Sequence, residues 1–320
     1  MRILYLYARR WYNTKMSIGR WLYGQALADH PGVDLKVWGV GWPGYDAKFS
    51  VTHNIKQNLI KYLTQAGDDT QWEPTHLWIY KSEDYYGVPE TRLPRLLVFN
   101  EAYDAGEVLR EIDSVKPTHV VFHHENDYQR WRSTVPESMH LPHAAPSRHD
   151  CLPMVQRPVS CLVSGNLNKT IYPLRKRLSN LVRFSLLPGQ IYPHPGYRLT
   201  NHVSILDQYQ AYQQRLGQAR LSLGCSSVMK YNLARFAESA MAGVVPVTDH
   251  PDDSVFGRCL SQACIIVSHN ISYLKLMKTI KSELRDQVSL QQRSDLLRKT
   301  AETEFSMQVY AQRLADYLSD

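Results

Sequence analysis

Arg235 and Glu238 stand three residues apart in the segment SSVMKYNLARFAESAMAGVVPVTDHPDD, residues 226–253. On a helix that spacing puts both on one face. A carboxylate so placed can accept two hydrogen bonds from a ribose diol. An anion can rest on the amides at the start of such a helix, helped by its dipole. The same spacing describes an ordinary amphipathic helix with an intrahelical Arg–Glu pair, and on spacing alone that description is the stronger. Ala240, Ala242 and Gly243 let the helix end pack tightly, Gly243 suits a left-handed cap, and Val244–Val247 reads as a buried strand.

A second chemical stretch is SGNLNKTIYPLRKR, residues 164–177. Gly165 permits a tight turn, and Lys169, Arg175 and Arg177 can face an anion. No Asp or Glu occurs between Asp150 and Asp207, a span that carries Arg157, Lys169, Arg175, Lys176, Arg177, Arg183 and Arg198. Within a net charge of +7, that bias favours an anionic partner: a diphosphate, a nucleic acid or a membrane surface. A solvated basic face is the plainer account. The third cluster is His123–His124–Glu125–Asn126–Asp127. His124 or Glu125 there can take a proton from an acceptor hydroxyl, or the cluster caps a following helix through Asn126 or Asp127. Adjacent His–His–Glu does not put three ligands on one face, so no metal site is expected.

These residues need strands and helices to hold them, and the chain reads as strand then helix, repeated, which argues for parallel sheets covered by helices. In the first half, strands are expected at Arg2–Tyr7, Val33–Trp38, His76–Tyr80, Leu96–Phe99 and His119–His123. Helices are expected at Ile18–Asp29, capped by Ser17, at Asn54–Gln65 and at Ala105–Ser114. A Pro- and His-rich passage from Leu141 to Pro158 places a boundary near residue 150. The pattern then restarts, with strands at Val159–Val163, Leu221–Gly224, Val244–Thr248 and Ala263–Val267. Helices are expected at Pro173–Leu181, Leu206–Leu216 and Asn232–Ala242, and Ser272–Leu318 is largely helical. Ligands in such folds sit at the carboxyl ends of the strands, and for two domains that means the cleft between them.

Composition narrows the classes. A hydrophobic share of 43% with 21% charged residues is that of a globular protein. No run approaches the roughly 18 apolar residues of a spanning helix. The opening MRILYLYARRWY meets Arg9 and Arg10 too early for a signal peptide. Five cysteines without CxxC spacing argue against a disulfide framework or zinc knuckle and for a reducing cytoplasm.

The run Glu238–Ser239–Ala240–Met241–Ala242–Gly243–Val244–Val245–Pro246–Val247–Thr248–Asp249 resembles the nucleotide-sugar signature of GT-B glycosyltransferases: an acid, small residues, Gly, a hydrophobic pair and Pro. The form Arg235–Phe236–Ala237–Glu238 is similar to the spore-maturation-protein-like branch of the group 1 glycosyl transferases, which also has a Gly-bearing loop and then Tyr-Pro-x-Arg, here Tyr172–Arg175. The resemblance implies an α/β chain of two Rossmann-like lobes facing each other across a cleft. An acceptor domain would span 1–150 and a donor domain 151–304, and the C-terminal helix of 305–320 would cross back onto the first.

It also implies sugar transfer, hexosyl or pentosyl, from a nucleotide diphosphate sugar, UDP-sugar foremost, to a hydroxyl acceptor: a glycan, a lipid or a modified nucleic-acid base. Glu238 then binds ribose. Gly165, Lys169, Tyr172, Arg175, Ser227, Lys230 and Arg235 form the rest of the donor site, and Ser17 and Gly19 stand in the loop that reaches phosphate or acceptor. Cationic side chains make a metal or other cofactor unnecessary. Many retaining members carry a further acid seven residues before the Glu; here Tyr231 stands there, which leaves stereochemistry open. The alternative is a non-catalytic nucleotide-sugar-binding protein that kept the fold.

Overall fold

The computed structural model describes residues 1–12, 18–135, 137–148, 151–193, 205–249 and 254–320. The chain divides into two compact units. Residues 1–141 and 310–320 belong to the first, and most of 142–309 to the second.

The first unit holds a sheet in the order β2-β1-β3-β4-β5-β6. Its strands are β1 (Arg2–Leu6), β2 (Asp34–Trp38), β3 (His76–Ile79), β4 (Arg95–Phe99), β5 (His119–Phe122) and β6 (Ser138–His140). All neighbours pair in parallel. Helices cover both faces of such a sheet, so its central strands read as unbroken apolar runs. Leu4, Leu6, Leu77, Ile79, Leu97, Val120 and Phe122 form the core on one face, while Tyr5 of β1 stacks on Trp78 of β3 at 4.1 Å on the other. The helix Ile18–Ala28 follows β1; Ser17, its expected cap, lies outside the described residues. The expected helix Asn54–Gln65 starts earlier, at Val51 with Ser50 accepting from His53 N, and passes through a π-helical turn at Ile55–Leu59.

The second unit holds five parallel strands in the order β11-β10-β9-β7-β8. They are β7 (Val159–Gly165), β8 (Gln190–Pro193), β9 (Ala219–Leu223), β10 (Val245–Thr248) and β11 (Ile265–Ile266). Cys161, Val163, Leu221, Leu223, Val245 and Val247 face a core shared with the helices Pro173–Arg183 and Ala234–Met241. Gly243 has φ +59°, the left-handed conformation its place after the helix requires, and a Cβ there would meet Ser294 Oγ at 2.6 Å. Helices fill Tyr273–Arg285, Gln287–Glu304 and Met307–Ser319. In the last, the part from Tyr310 onwards belongs to the first unit, where Tyr310 stacks on Tyr23 at 4.3 Å and Tyr317 Oη donates to Glu137 O at 2.8 Å.

Candidate functional site

In the second sheet, β8 lies on one side of β7 and β9 on the other. The chain therefore reverses its direction of strand addition at β7, and the crevice beyond the carboxyl ends of β7 and β9 is where such sheets bind ligands. Two loops meet there, one after Gly165 and one after Leu223.

Gly165 ends β7 with φ +89°, and a Cβ at this position would lie 2.7 Å from Arg235 Cζ. Only glycine permits both the backbone turn and the approach of the guanidinium. Arg235 uses that space: its Nη1 donates to Ser164 O at 2.5 Å and to Ser164 Oγ at 3.2 Å. Arg175, 1% exposed, bridges the two loops, with Nη1 donating to Asn166 O at 3.0 Å and Nη2 to Cys225 O at 3.3 Å. The Tyr172 ring lies 4.0 Å from its Cζ. Burial, and then the Arg235 charge, lower the Arg175 pKa to about 10, so it is cationic at neutral pH. Among the described residues neither arginine forms an ion pair. Two cations without a matching carboxylate in contact make the crevice attractive to an anion.

The structure thus brings Gly165, Tyr172, Arg175, Arg235 and Glu238 into one neighbourhood. Arg175 differs from the expectation that it faces a phosphate, because its two Nη groups already donate to carbonyls; it supplies positive potential from within the wall. Lys230 has φ +60° and pairs with Asp249 at 3.1 Å, so its charge is largely matched. Ser227, nearly buried, accepts from Met229 N through Oγ at 3.2 Å and so shapes the turn. Lys169 is exposed on the loop after β7. Tyr231, where many relatives of the signature carry an acid, is buried.

Glu238 is half-buried on the helix Ala234–Met241. Tyr212 Oη donates to its Oε2 at 3.1 Å. Burial raises the Glu238 pKa above the ordinary carboxylate range, against the opposing pull of Arg235 and two tyrosine hydrogen bonds. Tyr212 carries no sequence signal for this contact, because it lies 26 residues away on a helix whose pattern shows only an apolar face. Asp249, the last residue of the signature run, has no role of its own in the sequence reading; it accepts from Ser226 N at 2.8 Å and holds the Cys225–Lys230 loop.

In the first unit, His123 and His124 follow β5, both essentially buried. His123 Nδ1 is 2.9 Å from Leu141 O, and burial lowers its pKa to about 3. Burial, then the charges of His123 and His140, also hold His124 well below the usual histidine range, so both imidazoles are neutral. Glu125 opens the helix Glu125–Trp131 and is half-buried. The capping alternative shifts: His124 occupies the cap position, and Asp127 reaches away from its helix to accept from Ala102 N at 2.7 Å. Gly19 lies inside the helix Ile18–Ala28 with nothing within 4 Å of a Cβ built on it. Among the described residues no group of three or more His, Cys, Asp or Glu is placed to hold a metal.

No protein-family model matches the chain, and no curated protein matches it in sequence. Solved structures do match over its whole length. Sucrose-phosphate synthase from Thermosynechococcus elongatus superposes with a TM-score of 0.61 at 10% identity, covering 99% of this chain and 98% of that one. HepE from Anabaena, solved with UDP and glucose, gives 0.63 at 9% identity and 100% of both chains. An alpha-glucosyltransferase, solved with UDP and a 13-mer DNA containing a HMU base, gives 0.61 at 8% identity and 100% of both. The chain has the GT-B fold. At these identities the likeness is one of fold. Among the described residues no helix is long and apolar enough to cross a membrane.

Proposed function

We propose that the chain transfers a sugar, hexosyl or pentosyl, from a nucleotide diphosphate sugar to a hydroxyl acceptor. The observation that carries this is the pairing of a cationic crevice with a held carboxylate at the β7/β9 switch point: Gly165, Arg235 and Arg175 beside Glu238. The diphosphate sits over the Arg235 side of the crevice, with the exposed Lys169 able to swing toward it while Lys230 stays paired with Asp249, and Glu238 accepts from the ribose hydroxyls. As the glycosidic bond to phosphate breaks, negative charge grows on the leaving diphosphate. Fixed guanidinium groups stabilise it without reorganising and without a metal. Proton transfer from the acceptor falls to Glu125, half-buried at the start of its helix, rather than to His124, which burial keeps a weak base. UDP is the nucleotide of choice, in keeping with the ligands of the HepE and alpha-glucosyltransferase structures. The free cysteines suit a cytoplasmic setting.

Glu238→Ala removes hydrogen bonds to a charged acceptor, each worth about 1.5–3 kcal/mol. UDP affinity measured by calorimetry should fall at least tenfold with the fold intact by circular dichroism; an unchanged affinity would remove Glu238 from the ribose. If UDP binds but no donor sugar is ever hydrolysed or transferred, the non-catalytic binding protein becomes the better reading. A modified nucleic-acid base as acceptor is favoured by the net charge of +7 and the acid-free span between Asp150 and Asp207. It requires DNA binding that weakens steeply with salt, and no binding at low salt would end it.

A further inference from the structure

The Glu238 carboxylate is held from the helix Ile205–Gly217, which no motif in the sequence marks. Tyr212 Oη donates to Oε2 at 3.1 Å, and Tyr209, one turn earlier, also hydrogen-bonds the carboxylate. The two rings tilt against each other at 6.3 Å. Tyr212 further hydrogen-bonds Ser164, the residue whose carbonyl and hydroxyl both accept from Arg235. The phenol therefore joins the carboxylate to the loop that carries Gly165. Burial, and then the Glu238 charge, push the Tyr212 pKa upward, so it donates throughout the physiological range. A carboxylate offers about four acceptor positions; two phenols occupy two, and the two left match the two hydroxyls of a vicinal diol.

We propose that Tyr212 is a positioning residue that fixes the Glu238 carboxylate against a vicinal diol, so that the site selects a ribonucleoside diphosphate over its dideoxy counterpart. This rests on the donor-site reading above. A glutamate free to rotate would lose orientation entropy on each binding event; one held by a phenol on a neighbouring helix is already placed. The selectivity follows because a nucleotide without the diol leaves the carboxylate's two remaining positions unfilled.

The test compares UDP with 2′,3′-dideoxy-UDP by calorimetry on the full chain, wild type against Tyr212→Phe, which keeps the ring and its packing. Wild type should prefer UDP. In Tyr212→Phe the preference should shrink about tenfold through weaker UDP binding, with dideoxy-UDP affinity unchanged. The acid limb of UDP binding should also move to higher pH, because the lost hydrogen bond favoured the ionised carboxylate. Equal losses for both nucleotides, or no change in either the ratio or the acid limb, would overturn the proposal while leaving the donor site standing. Failure of wild type to bind UDP would overturn the donor-site reading and the proposal with it.

Discussion

Gly165 is the residue on which the donor crevice turns. Its φ of +89° is strained for any L side chain, and the methyl of an alanine would occupy the Arg235 guanidinium's place. Gly165→Ala should therefore cost about 1–3 kcal/mol of stability and also displace Arg235. A urea midpoint and a UDP affinity that both stay at wild-type values would show that the loop absorbs the change.

His123 makes a residue-scale prediction about pH. It is fully buried and neutral, with its pKa lowered to about 3, whereas the unfolded chain protonates it near pH 6.5. Between those values the unfolded state binds the extra proton. Stability thus falls as pH drops through this window, by up to about 1.4 kcal/mol per pH unit, and His124 adds to the slope in the same sense. His123→Phe should flatten the stability–pH profile between pH 6 and 4, measured by urea unfolding; a profile parallel to wild type would place the acid sensitivity elsewhere.

At the scale of elements, Arg157 ties three segments through their backbone carbonyls. Nε donates to Leu152 O at 2.8 Å, Nη1 to Ala219 O at 2.9 Å and Nη2 to Ala242 O at 3.0 Å. These are the segment before β7, the first residue of β9 and the end of the helix that carries Glu238. A lysine is a point donor on a flexible stem and cannot span the fork. Arg157→Lys should lower the unfolding free energy by about 3 kcal/mol or more, yet leave UDP affinity per folded molecule unchanged, since Ala219 starts its strand at the end remote from the crevice. An unmoved urea midpoint would contradict this.

The elements legible in the sequence are those whose burial leaves a long pattern. The run Ile3–Leu6 and the helix Ala105–Val115 show it, and so do Val245–Thr248 and Gly243 before them. β6 has three residues with a single aliphatic-like one, Met139, and β8, Gln190–Pro193, sets only Ile191 and Tyr192 between Gln190 and Pro193, so neither shows a pattern. The π turn at Ile55–Leu59 changes hydrogen-bond partners, not side-chain type, so its residues read as plain α-helix. In the site, Gly165 reads as a turn from its own backbone rule, whereas Arg235 and Glu238 read on spacing alone as an ordinary helical pair and stand out only through the resemblance to the GT-B signature. Tyr212 and the Lys230–Asp249 pair are not legible, because their partners meet only through the sheet's crossover.

At the scale of the molecule, the two units carry separate cores and unequal spectroscopic labels. All seven tryptophans lie between Trp11 and Trp131, within the first unit. Tryptophan fluorescence therefore reports the unfolding of that unit, while calorimetry reports both. The proposed donor site belongs wholly to the second. A ligand at 100 times its Kd stabilises the unit that binds it by about 2.7 kcal/mol, which for a unit of this size raises its transition by roughly 5–10 °C. UDP should shift a calorimetric transition by that amount while the fluorescence transition stays within a degree. A fluorescence midpoint that rises in step with the calorimetric one would show that the two units unfold as one cooperative body, and the assignment of nucleotide binding to the second unit would then need the Glu238 variant to support it.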